Sequence, residues 1–335
     1  MKIIKKILAV VLSATILVGA SNAAGLNLVS AEAAAAPAGL KGVWFSFLDW
    51  QLFLRGKDKA SFDSAFSSVC DVTAGHGLNA IFVHVRSHND AVYPSSIYPW
   101  SGEMLLGADP GYNPLSDMVE IAHAKGLQIH AWINPYGYRN GMICGNAALA
   151  NTANIVAGVQ EIVNNYAVDG IHFDDYFPPV GKGEINNMMS QVHTVCANAG
   201  KVFGVSPQGN LDNLRASSAD VDTWLSSGGY VDYLAPQLYW SDNYGAAGNV
   251  TMFSNRMNLF RSIDKAGIPL YVGLAAYKAG QPIGSDPGWR LSGTNLASQR
   301  DKAAGAGYTG YILYRYNTLL SGAAAGELSA LQSRG

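Results

Sequence analysis

Two adjacent carboxylates, Asp174 and Asp175, close the segment DGIHFDD (Asp169–Asp175). Two acids side by side at the end of an apolar run repel each other unless something uses them. Three uses fit. One is general acid–base work on a glycosidic bond. One is metal binding together with His84, His130 and His172. One is structural, with one Asp paired to Arg86 or Arg315 and the other capping a loop. Polar and aromatic residues recur at the ends of other short apolar runs. Period-two alternation through AIFVHVRSHND puts Phe82, His84 and Arg86 on one face. The same alternation puts His130, Trp132 and Asn134 together in LQIHAWINPY, and His172 and Asp174 together in DGIHFDD. FGVSPQGN offers Ser206, Gln208 and Asn210, and YLAPQLYW offers Gln237, Tyr239 and Trp240. Two further runs end at Tyr277-Lys278 and at Arg315.

These runs read as strands that alternate with helices. The spacing predicts strands at Gly42–Phe47, Ala80–Arg86, Leu127–Asn134, Gly170–Asp174, Val202–Ser206, Tyr233–Tyr239, Leu270–Ala275 and Tyr308–Tyr314. It predicts helices at Ser61–Ala74, Leu115–Lys125, Ile155–Asn165, Ile185–Ala199, Val221–Ser226, Met252–Lys265 and Asn295–Ala304, with a last one near Ala323–Gln332. Alternating strands and helices imply right-handed βαβ units and a parallel sheet. Eight units fit an α/β fold consisting of a single (β/α)8 TIM barrel, residues 40–335, whose chemistry belongs at the C-terminal strand ends. A doubly wound open sheet is the alternative, but no glycine-rich phosphate loop follows any strand. At least six strands bring polar or aromatic side chains to one end, a convergence that packing alone does not require.

Composition narrows the ligand. Charged residues make up only 14% of the 335, against about a quarter in ordinary domains. A formal net charge of −2 makes no electrostatic case for nucleic acid. Trp100, Trp132, Tyr136, Tyr138, Tyr239, Trp240 and Trp289 fall in or near strand-end loops. Sugar rings present apolar C–H faces that stack on such side chains. Lys2, Lys5 and Lys6 precede an apolar run from Ile7 to Ala20, too short to span a bilayer and shaped like a secretory leader. Residues 1–33 are expected to be that leader, 34–39 a short linker, and the mature chain a secreted or wall-associated monomer with no membrane attachment. The three cysteines, Cys70, Cys144 and Cys196, match no zinc spacing and read as packing residues or at most one disulfide.

Several segments together resemble the bacterial glycosyl-hydrolase-like family ten. They are GVWFSFLDW (Gly42–Trp50), FVHVRSHNDAVYPSSIYPWS (Phe82–Ser101), DPGYNPL (Asp109–Leu115), HAWINPYGYR (His130–Arg139), VDGIHFDDYFPP (Val168–Pro179), FGVSPQG (Phe203–Gly209), VDYLAPQLYW (Val231–Trp240) and GLAAYKAG (Gly273–Gly280). The resemblance spans nearly the whole chain after the leader. It implies a TIM-barrel glycosidase acting on cell-wall glycan, on peptidoglycan strands stripped of stem peptides. Asn113 stands where the family often has Asp, and Gln208 where it often has a small or aromatic residue. The connections after Tyr136 and Asp175 are shorter than in the family's characterised enterobacterial member, a peptidoglycan glycosidase, which implies a more open cleft.

Adjacent acids cannot easily straddle a bond from opposite sides, as the usual two-carboxylate routes need. They look instead like the pair in substrate-assisted N-acetylhexosaminidases. On that expectation Asp174 orients the substrate's 2-acetamido group, Asp175 is the general acid and Tyr239 hydrogen-bonds the acetamide. His84, Arg86, His130, Trp132, Asn134, His172, Gln208, Gln237, Trp240, Tyr277 and Lys278 bind substrate or tune the acids. The rival route makes Asp174 a nucleophile partnered by Glu103 or Asp242. Two other classes remain: a silent glycan-binding protein, and a metal-dependent deacetylase using the histidines. No cofactor and no metal are expected for the glycosidase; its partner is the polysaccharide.

Overall fold

The computed structural model describes residues 34–334 apart from Pro282. The expected leader lies outside the described residues. Residues 34–39 run without helix or strand into the first strand. Eight strands form the barrel: β1 (Leu40–Phe45), β2 (Ala80–Arg86), β3 (Gln128–Ile133), β4 (Gly170–Asp174), β5 (Val202–Ser206), β6 (Tyr233–Leu234), β7 (Tyr271–Leu274) and β8 (Gly310–Tyr314). A helix follows each: α1 (Lys59–Gly75), α2 (Pro114–Ala124), α3 (Thr152–Asn165), α4 (Lys182–Asn198), α5 (Val221–Ser226), α6 (Met252–Ile263), α7 (Asn295–Gly305) and α8 (Ala325–Gln332). Local chemistry starts several of them. Asp58, Asn113 and Asn151 each accept the backbone N–H three residues on, at Ser61, Ser116 and Asn154, which satisfies an otherwise orphaned donor. Asn113 therefore caps α2 as an Asp would.

The strand order is β6-β5-β4-β3-β2-β1-β8-β7, and every neighbouring pair is parallel. Isolated bridges close the last seam, Leu234 to Leu270 and Gln237 to Gly273. The expected sixth strand, residues 233–239, is regular only at Tyr233–Leu234. Pro236 has no N–H to give the ladder, so pairing resumes as single bridges at Gln237. That interruption carries Gln237 and Tyr239 to the barrel mouth. Sequence periodicity also missed a small hairpin, Tyr138–Arg139 with Met142–Ile143, and short helices at Phe47–Phe53, Leu211–Arg215 and Gly288–Leu291.

Alternation along the strands makes two concentric cores. Outward residues such as Val43, Phe45, Ile81, Val83, Ile171, Phe173 and Val205 pack on the helices. Leu40, Trp44, Phe82, Trp132, Tyr233, Tyr271 and Ile312 fill the barrel interior. Rings this large fit because small residues face them. A Cβ on Gly204 would lie 2.1 Å from the Tyr233 ring. Tyr233 in turn meets His172, so the glycine sets the floor of the mouth. Gly204→Ala is expected to cost about 1–3 kcal/mol by overpacking, read as a lower urea midpoint; an unchanged midpoint would show that the ring has room to move.

Candidate active site

Asp174 is the last residue of β4 and points inward. It lines a cavity of about 150 Å³ with Trp44 from β1, Trp132 from β3, Ser206 from β5, Tyr314 from β8, and Tyr176, Gln237 and Tyr239 from the loops. Asp174 Oδ1 accepts from Gln237 Nε2 at 3.0 Å and from the Asp175 N–H at 3.1 Å. Gln237 Nε2 also donates to Ser206 O at 2.9 Å, which fixes the amide. Asp174 Oδ2 has no hydrogen-bond partner among the described residues.

Asp175 turns the other way. Its Oδ2 accepts the Gln208 N–H at 2.7 Å. Gln208, Gly209, Trp240, Tyr277 and Lys278 line a second cavity of about 320 Å³, and Gln237 and Tyr239 wall both cavities. The Tyr239 ring lies 5.8 Å from Tyr314 and edge-on to Tyr277. Lys278 Nζ donates to Tyr239 O at 2.5 Å and lies 3.6 Å from Asp286. The two acids thus belong to one mouth, one inside the first cavity and the other tied to a residue of the second.

The histidines form the layer beneath. His172 Nε2 accepts from Trp44 Nε1 at 3.1 Å. Indole can only donate, so the neutral ring carries its proton on Nδ1, toward Tyr233 Oη at 2.9 Å. Ser206 Oγ lies 3.0 Å from the same Nε2. His84 Nδ1 accepts the Phe47 N–H at 3.1 Å, and the ring stacks on Trp132 at 3.4 Å. Burial holds both histidines well below their ordinary range, and lowers His130 to about 4. All three are neutral props. None lines either cavity, against the expectation that they contact substrate.

Three further expectations are corrected. Arg86 does not enter the barrel. The β2–β3 register shifts between His84 and Arg86, and a bulge of this kind re-aims the next side chain. Arg86 lies instead 3.4 Å over the Tyr98 ring, against Gly158 of α3. Asn134 is buried, and its amide is committed to Ser87 O at 2.8 Å. Asp242 is held by Ser254 and Lys302, and Glu103 accepts from Gln51 and lines a separate cavity beside Trp100. Neither faces Asp174. Among the described residues no group of three or more His, Cys, Asp or Glu could share a metal ion. All three cysteines are free thiols. Sequence reasoning missed Trp44, Tyr176 and Tyr314, and offered Ser206 only as a strand-end residue. The same alternation, applied to β1 and β8, finds Trp44 and Tyr314.

Desolvation dominates the electrostatics. Burial pushes Asp174 well above the carboxylate range, and the Asp175 charge pushes it further; hydrogen bonds from Asp175 N and Gln237, and the Arg139 charge, oppose. Burial raises Asp175 to about 6, against the Gln208 N–H. A raised carboxyl favours the fold below its unfolded value of 3.8, and that contribution is lost as pH rises through about 6. Asp175→Asn is therefore expected to gain about 1–3 kcal/mol on wild type between about pH 4 and pH 7. Urea unfolding at both values reads it; an equal difference at both would mean the carboxyl is not desolvated.

A model of the family described as Glycosyl hydrolase-like 10 matches residues 39–148 and 182–291. Asp174 and Asp175 fall between those segments. The chain is 28% identical over 329 residues to Glycosyl hydrolase YngK of Bacillus subtilis, covering 75% of this chain and 62% of that protein. It is 28% identical over 339 residues to Glycosyl hydrolase DigH of Escherichia coli, covering 77% and 76%. Among solved structures, a chitinase from Chromobacterium violaceum matches at TM-score 0.56 and 13% identity, over 88% of this chain and 98% of that one. A β-1,4-D-mannanase from Cryptopygus antarcticus matches at TM-score 0.53 and 13% identity, over 90% and 93%. At those identities the two structures speak for the barrel alone. With the family model matching along most of its length, the chain belongs to the glycosyl hydrolase-like 10 family.

Proposed function

We propose that the protein is a secreted glycoside hydrolase that cleaves β-1,4 linkages in N-acetylated cell-wall glycan, peptidoglycan strands poor in stem peptides. Family membership and the names of both relatives support a hydrolase of glycans. The observation that carries the finer reading is the placement of the acid pair. One desolvated carboxyl sits inside an aromatic-walled cavity, and its sequence neighbour is held by a residue of the adjoining cavity.

In this reading the sugar being cut occupies the Asp174 cavity, and the leaving sugar lies toward Gln208, Trp240 and Tyr277. The 2-acetamido N–H donates to Asp174, and Tyr239 Oη donates to the acetamide carbonyl. A hydrogen bond donated to Asp174 favours its charged form, so the proton held by the pair resides on Asp175. The acetamide oxygen attacks the anomeric carbon while Asp175 protonates the leaving glycosidic oxygen. The carboxylate left on Asp175 then takes a proton from the water that opens the bicyclic intermediate, and the configuration is retained. Gln237 holds Asp174 in place, and the His172 and His84 layer fixes Trp44 and Trp132 behind it.

Incubation with peptide-free glycan strands is expected to release new reducing ends, identified by mass spectrometry. Asp175→Asn is expected to lower kcat by about 10²–10⁴. An N-acetyl-thiazoline is expected to inhibit; absence of inhibition in an active enzyme would overturn the substrate-assisted route. Wild type that binds strands without releasing ends would make the protein a glycan binder. The limb of kcat/KM that reports Asp175 is expected to fall as pH rises through about 6. A limb unchanged in Asp175→Glu and unrelated to this carboxyl would remove it as the acid.

A further inference from the structure

The walls of the Asp174 cavity hold one acid, one amide, hydroxyls and rings, while the hairpin that follows β3 carries an arginine whose charge bears on Asp174. Tyr138 pairs with Ile143 and Arg139 with Met142. Asn140 and Gly141 turn the chain with φ of 51° and 84°, the Asn-Gly signature of a tight two-residue hairpin. The hairpin is locked against the loop after β2. Asn89 N donates to Cys144 O at 3.4 Å, and a Cβ on Gly137 would lie 2.8 Å from Asn89 N. Arg139 is thereby held with its guanidinium 4.7 Å over the Phe47 ring. Phe47 lies 5.8 Å from His84, the ring that backs Trp132.

Two other arginines at this end of the barrel have oxygen partners. Arg315 donates to Ser46 Oγ at 3.1 Å, and Arg256 to Asn210 Oδ1 at 3.0 Å. Among the described residues no carboxylate, carbonyl or hydroxyl accepts from Arg139. Its charge is felt at Asp174, Tyr176, Tyr314 and His84, yet it forms no ion pair with either acid. A guanidinium held over a ring with no oxygen partner has N–H groups to offer a planar, two-oxygen acceptor.

We infer that Arg139 binds a carboxylate carried by the glycan itself, the free 3-O-lactyl carboxylate of muramic acid. The inference rests on the substrate reading above and deepens it. Joining a stem peptide to that carboxylate makes it an amide, which is neutral and offers one oxygen in place of two. Arg139 would then read the absence of peptide as a negative charge. A substrate carboxylate entering beside Asp174 and Asp175 also needs a cation to offset their repulsion.

The test uses peptide-free strands and the same strands with their carboxylates converted to methylamides. Wild type is expected to prefer the free acid by about 10–100-fold in kcat/KM, the range of a charge-assisted pair. In Arg139→Gln that ratio is expected to fall toward one, with Arg139→Lys between the two. Wild type cutting both substrates equally well would overturn the inference and leave the glycosidase reading intact. Arg139→Gln with an undiminished ratio would also overturn it. So would an equal loss on both substrates with a shifted pH profile, because Arg139 would then act only on Asp174. Wild type inert on both would overturn the substrate reading and the inference together.

Discussion

Removing the Asp174 carboxyl from water is the constraint on which the barrel mouth depends. Burial and the adjacent Asp175 both oppose its charge, and a carboxyl in that position is tolerated only with partners on its oxygens. Gln237 supplies one, from the seam where Pro236 breaks the sixth strand. The aromatic wall of Trp44, Trp132, Tyr239 and Tyr314 surrounds a cavity that the carboxyl also lines. The fold therefore places an acid where it holds a proton at higher pH than a surface carboxyl does.

The layer below makes that mouth rigid. His172 ties Trp44, Ser206 and Tyr233 together, and His84 links Trp132 to the backbone at Phe47. Both rings are neutral, so they position these groups without adding charge to the acid pair. Gly204 admits the Tyr233 ring that receives His172. A change at the floor is thus transmitted to the cavity walls through directed hydrogen bonds.

The barrel was legible because its strands alternate cleanly and its helices carry strong starts. Each of the seven helices predicted between strands is found, with ends shifted by three residues or fewer. The acid pair was legible because charges are few and these two are adjacent. Period two also fails where its assumption fails. A bulge after His84 sends Arg86 to the helix layer, and proline at position 236 ends a strand that its apolar pattern would continue. Inward histidines looked like ligands because alternation gives a face and not a depth. His130 faces inward but stacks on Phe82, below both cavities' linings. Arg139 was invisible as a site residue because a tight hairpin, not a strand end, delivers it.

The most direct measurement is the titration of the pair. Carbon-13 carboxyl NMR of aspartate-labelled protein, assigned by comparison with Asp174→Asn and Asp175→Asn, follows each group through the acid and neutral range. Two carboxyls titrating well above the ordinary range, each falling when the other is neutralised, are the expected result. Both titrating near 4, independently of one another, would contradict a desolvated, coupled acid pair at the end of the fourth strand.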